Sequence, residues 1–184
     1  MNNTTFPRIG RHSVLALGMG LSVSVGWAQS SGNSSSKDQL DRRQDQFEQS
    51  VALAKARDYS SAESRLLGDN RSSPNSGAWY LESGQKWALL AAALANRRDY
   101  AGARDTATQA IGKLQIAESK LLAEGKFAAA SQAQQVIGTI HEHILRDYAS
   151  AAKAYDKAVG YDSSRDGGKQ GAERMKGKEK ESGK

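Results

Sequence analysis

Arg57-Asp58-Tyr59-Ser60-Ser61-Ala62, Arg98-Asp99-Tyr100-Ala101-Gly102-Ala103 and Arg146-Asp147-Tyr148-Ala149-Ser150-Ala151 are three versions of one phrase. Each stands where one run of helically spaced apolar residues ends and the next begins. The aspartate is suited to cap the new helix, because its carboxylate can accept a hydrogen bond from an exposed amide and its charge favours the positive end of the helix dipole. The tyrosine would cover the corner of the hairpin, and the alanine three residues later would let the two helices approach closely. A looser version, Gly125-Lys126-Phe127-Ala128-Ala129-Ala130, puts Phe127 in the tyrosine's place. Gly125 is placed to close the preceding helix in the left-handed conformation.

Outward from these turns the pattern is helical. Leu40, Phe47, Val51 and Ala54 form one stripe on a first helix ending near Arg57. A short second helix carries Ala62, Leu66 and Leu67 and stops at Gly68, before a loop containing Pro74. Four more helices are expected over 77–97, 100–124, 127–145 and 148–161, with Gly112 as a point where the fourth could bend. Pro74 is the only proline beyond the first few residues, alanine is abundant, and no stretch alternates apolar with polar residues over the length of a strand. The expected fold is all-α: about six helices in antiparallel hairpins over 38–162.

The turn and second-helix residues resemble the tetratricopeptide repeat, a helix-turn-helix unit with a period of about 34 residues. The middle version matches best, with Trp87, Leu90, Ala91 and Leu94 on its first helix and Tyr100, Ala103, Ala107 and Ala110 on its second. The last keeps Tyr148, Ala151, Tyr155, Ala158 and Tyr161, but has Gln135, Gly138 and Thr139 at the first-helix positions. The first keeps Leu53, Tyr59, Ala62 and Leu66. The tyrosines are separated by 41 and 48 residues, more than the family's period. The loop before the third helix and a longer fourth helix would absorb the excess, giving a short solenoid with irregular stacking. The other reading is a generic helical bundle in which Arg-Asp-Tyr is a convenient turn. On the repeat reading Tyr59, Tyr100 and Tyr148 are each expected to be buried, Tyr100 most consequentially.

The resemblance implies a binding face on the first helix of each unit. It would be lined by Gln44, Phe47, Val51 and Lys55, then Gln85, Ala88, Ala92 and Asn96, then Val136, Ile140 and His143. Periodicity does not separate groove from core for Phe47, Val51, Val136 and Ile140. The Lys/Asn set by which some members clamp a terminal carboxylate is not reproduced.

The ends have other compositions. Arg8, Arg11 and His12 precede an apolar stretch over 14–27, shorter than the roughly 20 residues a spanning helix needs. With Gly26 and Ala28 this reads as a signal peptide over 1–28, cleaved before Gln29, although an uncleaved anchor or a buried first helix would share the pattern. Residues 29–37 are a Ser/Gly-rich linker, and 163–184 reads as a disordered basic tail. The formal charge of +6 falls by two when Arg8 and Arg11 leave with the leader.

Catalytic chemistry finds no foothold in the sequence. Without cysteine there is no disulfide framework, thiolate nucleophile or Cys-ligated metal. His141 and His143 are two residues apart, diverging by about 200° on a helix where a metal pair needs a shared face. No Gly-x-Ser-x-Gly elbow or Gly-rich phosphate loop occurs. The basic tail residues are interleaved with Glu173, Glu179 and Glu181 and have no aromatic among them, so nucleic-acid binding is not expected.

The expectation is therefore a non-enzymatic interaction module of the periplasm or secreted space, without cofactor or metal and with no stable membrane anchor after cleavage. It would hold a protein or peptide partner, and self-association is compatible with it. The alternative is an envelope structural protein that holds an anionic polymer through its basic tail. N-terminal sequencing of the native protein should begin at Gln29 or within a few residues of it; a native chain starting at Met1 would remove the export assignment.

Overall fold

The computed structural model describes residues 36–68, 72–164 and 166–182, all within one contact unit, and among them the chain is helical with no strand. The leader, its cleavage point and most of the Ser/Gly-rich linker lie outside the described residues. The helices are α1 (Ser36–Lys55), α2 (Tyr59–Leu67), α3 (Gly77–Asn96), α4 (Tyr100–Ala123), α5 (Phe127–Ile140), α6 (Tyr148–Tyr161) and α7 (Asp166–Ser182). A π-helical turn, His141–Leu145, continues α5. Helix α4 runs through Gly112 without interruption.

The three Arg-Asp turns share one geometry. Arg57, Arg98 and Arg146 all have positive φ, between 60° and 65°. Asp58, Asp99 and Asp147 then cap α2, α4 and α6, accepting from the backbone N–H of Ser61, Gly102 and Ser150 at 3.1, 2.9 and 3.0 Å. Gly125 takes the left-handed place in the looser version, with φ of 70°, and Lys126 makes no side-chain cap there. At the first two turns the aspartate N–H also donates five residues back, to the carbonyls of Leu53 and Leu94, which closes the preceding helix.

Joined by such short turns, α1 packs on α2, α3 on α4 and α5 on α6. The hairpins meet through α2 with α3 and α4 with α5, and also through α1 with α3 and α3 with α5. Small residues permit this closeness: a Cβ on Gly84 would stand 2.5 Å from Leu114 Cγ. The core is alanine-rich, with Trp87, Leu90, Leu94, Leu114, Leu121, Ile140 and Tyr155 as its large members.

Two expectations are corrected. Residues 166–182, read as disordered because of their glycines and charges, form α7, which packs on α6 and α5. Gly168, Gly171, Ala172 and Met175 make a buried stripe at helical spacing, invisible to a count of large apolar residues because glycine does not register in it. Secondly, the turn tyrosines are not buried corners. Tyr100 is 54% exposed and Tyr148 36%, while Tyr59 is half-buried.

The tyrosine stands at the first position of its helix, and cover must come from the next hairpin. Tyr59 finds it in Trp87, with ring centroids 6.1 Å apart. Tyr100 has no aromatic ring packed against it among the described residues, and by count from the turn the third hairpin carries Gln135 where the second carries Trp87. Its alanine three residues on, Ala103, is buried all the same.

The stability ranking therefore inverts. Trp87→Ala and Tyr155→Ala should each cost about 3–5 kcal/mol as truncations of buried aromatics, whereas Tyr100→Ala should change stability by about 0.5 kcal/mol or less. Chemical denaturation of the three variants checks the order, and a Tyr100→Ala loss matching Trp87→Ala would contradict this packing.

Candidate functional site

The expected binding face divides once the helices pack. Val51, Ala88, Ala92, Val136 and Ile140 are buried and belong to the core, so they cannot line an open groove. Gln44, Lys55 and Asn96 are exposed, and Phe47, Gln85 and His143 are half-buried. The adjacency of α1 to α3 and of α3 to α5 puts these accessible residues on neighbouring helices. Of the pattern residues, Ala62, Trp87, Leu90, Ala103, Ala110, Ala151, Tyr155 and Ala158 are all buried, which is a packing role.

Polar links hold the first two hairpins in register. Arg57 lies 3.6 Å from Asp99 and 3.7 Å from Asp105, and Tyr59 Oη donates to Asp105 at 3.2 Å. The first turn is thus tied to the second turn and its helix. Arg97 pairs with Glu48, and Lys113 with Glu63, across the same junction.

The most concentrated chemistry is elsewhere, around Glu142. In the other turns the residue five before the cap is leucine: Leu53, Leu94 and Leu121, the last two fully buried. Glu142 holds that place before Asp147 and is only 2% exposed. The π turn accompanies the change, since Asp147 N–H donates six residues back, to the carbonyl of His141, instead of five.

A carboxylate in an apolar position needs donors, and three side chains supply them. Tyr155 Oη donates at 2.9 Å, Arg174 Nη2 at 3.0 Å and Lys178 Nζ at 3.3 Å. The Tyr155 ring is in turn clasped by glycines of two helices: a Cβ on Gly138 would lie 2.7 Å from it, and one on Gly171 2.5 Å. Thr139 Oγ1 stands 3.3 Å from its hydroxyl, and Arg174 lies over its face.

Burial pushes the Glu142 carboxyl up, but the hydrogen bonds from Arg174 and Tyr155 and the charges of His143 and Arg174 outweigh it, leaving it at about 2. Tyr155 is pushed up to about 12, first by burial and then by the adjacent carboxylate. Burial lowers His143, helped by Lys178, Arg174 and Arg146 against the pull of Glu142. A carboxylate held ionised and saturated with donors is a poor proton acceptor, so this cluster anchors a helix more readily than it moves a proton.

A second polar group lines a shallow cleft of about 240 Å³ between α4, α5 and α6. There Glu118 accepts from Tyr161 Oη at 2.7 Å and lies 3.6 Å from Lys157. Among the described residues no group of three or more His, Asp or Glu is arranged to hold a metal ion.

Sequence reasoning missed Glu142 because two of its partners lie in the segment read as disordered. A glutamate at a position where sibling turns carry leucine was the available signal. The folded-state value of Glu142 lies below the ordinary 4.5, so its contribution is complete above pH about 4.5 and is lost as pH falls towards about 2. That loss should reach about 3 kcal/mol. Glu142→Gln should be less stable near neutrality and show a flatter acid limb, measured by denaturation at stepped pH. No family model, curated protein or solved structure matches the chain.

Proposed function

We infer that the chain is a non-enzymatic interaction scaffold of tetratricopeptide type, working in a bacterial-type cell envelope and holding a protein or peptide partner along the first helices of its hairpins. The observation that carries this reading is the recurrence of one turn, a left-handed arginine followed by a capping aspartate, at Arg57, Arg98 and Arg146. Units that repeat their turn and stack first helix on first helix present a continuous face, the surface repeat proteins use for binding. On that face Gln44, Lys55 and Asn96 are open, with Phe47, Gln85 and His143 partly so. Export rests on the character of residues 1–28; no helix among the described residues is long and apolar enough to cross a membrane.

The polymer-binding alternative is weakened by the engagement of Arg174 and Lys178 with Glu142, which removes two cations from the tail's free surface. The same contacts make truncation after Asp162 a poor discriminator, because it would strip Tyr155 and Glu142 of their cover. Surface charge reversal is cleaner. Capture from the native envelope fraction should yield a partner that survives high salt, is unaffected by Lys169→Glu with Lys176→Glu, and is lost with Lys55→Glu and Asn96→Asp. The opposite pattern, with loss on tail reversal and steep salt dependence, would replace this reading with the polymer one.

A further inference from the structure

Helix α7 is held by a seat more specific than a terminal helix needs. The seat has a buried anionic floor in Glu142, a flat aromatic wall in Tyr155, and an apolar patch where Ala151 and Tyr155 meet Ala172 and Met175. Its occupant must bring a small residue against the Tyr155 ring, as Gly171 does. It must then place a basic residue three positions later and another four beyond that, as Arg174 and Lys178 do.

The helix that fills the seat is intrinsically weak. It carries Gly167, Gly168, Gly171 and Gly177, and glycine is among the poorest helix formers. Gly177 has no packing reason to be glycine: a Cβ there would meet nothing within 4 Å. A selective seat and a weak occupant together describe a ligand that can be exchanged.

We propose that α7 is a displaceable internal ligand, and that its seat on α5 and α6 receives a cationic helix of the same chemistry from a partner protein. Charge complementarity selects the occupant: with α7 away, a buried carboxylate faces outward and disfavours acidic or purely apolar helices. Closure by α7 in the meantime keeps that carboxylate paired. The apparent affinity for an incoming helix falls by the fraction of chains whose seat is open, so changes in α7 alone should tune binding without altering the seat. The seat adjoins the first-helix face at His143, 3.7 Å from Glu142, but Lys55 and Asn96 lie at the ends of α1 and α3, so Lys55→Glu with Asn96→Asp should leave it unchanged.

The test uses the full chain and a fluorescent synthetic peptide with the sequence of residues 166–182, followed by anisotropy. Gly171→Ala pushes a Cβ into the Tyr155 ring, loosens the internal helix and should tighten peptide binding about tenfold. Gly177→Ala strengthens the internal helix and should weaken binding about fivefold. Glu142→Gln removes the floor and should abolish it. Hydrogen exchange over 166–182, read on the same variants, should quicken in Gly171→Ala and slow in Gly177→Ala. Failure of the peptide to bind Gly171→Ala once those amides exchange freely would overturn the proposal, as would equal binding of a scrambled peptide. A Gly171→Ala chain that excludes the peptide and runs as a dimer would give the seat to a second copy's α7 instead, and would also overturn it.

Discussion

A chain that reverses direction between two helices within about three residues leaves unpaired carbonyls behind it and unpaired amides ahead of it. In this protein the arginine-aspartate pair answers both demands. The arginine accepts a left-handed backbone, which brings the next amide back onto the carbonyl of Leu53 or Leu94, and the aspartate side chain takes up an amide of the following helix. Left-handed φ is unfavourable for a residue with a Cβ, by roughly 1 kcal/mol, and loss of an aspartate cap costs about the same. At each of the first two turns the cap and the helix-closing hydrogen bond therefore offset the strain locally. The helices that follow can pack because the turns have set where they begin.

Turns of this kind bring backbones close, and the interior is chosen to suit. Alanine lines most of the contacts between helices, and glycine stands where a leucine or an aromatic ring must cross, as at Gly84 against Leu114 and Gly138 against Tyr155. Much of this was legible from the sequence: the six helix positions, the capping aspartates, Gly125 as a terminator and the close approach of helices at Ala103 all follow from spacing and turn chemistry. The tyrosines were misjudged for a physical reason. Their cover comes from a different hairpin, which local spacing does not encode, and among the described residues only Tyr59 has an aromatic partner there. Val51 and Ile140 likewise have helical periodicity whether they face a groove or a core, and the neighbouring helices decide for core.

Glu142 marks the place where the repetition is broken. The sibling position is leucine, content in an apolar site, and its replacement by a carboxylate comes with an extra residue in the turn and the π-helical backbone that accommodates it. A lone buried carboxylate would be neutralised or would destabilise the fold. Here Tyr155 answers from α6, while Arg174 and Lys178 answer from a segment whose composition alone argues for disorder. The last hairpin therefore depends on α7 for its electrostatics, a dependence absent from the leucine-bearing turns.

That dependence also explains how such a poor helix is ordered. Composition-based reasoning weighs a segment's own apolar content against its chain entropy, and by that measure residues 166–182 fail, with Met175 as the one large apolar side chain. The missing stabilisation belongs to the partner surface. By docking, α7 covers the Glu142 carboxylate and in the same step supplies the two cations that pair it, and pairing in a buried site gains more than pairing in water. Glycine contributes as well: a Cβ on Gly171 would stand 2.5 Å from the Tyr155 ring and force a shift, so the feature that weakens the isolated helix is the one that lets it dock closely. Order in α7 is thus a property of the contact between α7 and its seat, and the two surfaces must be read together.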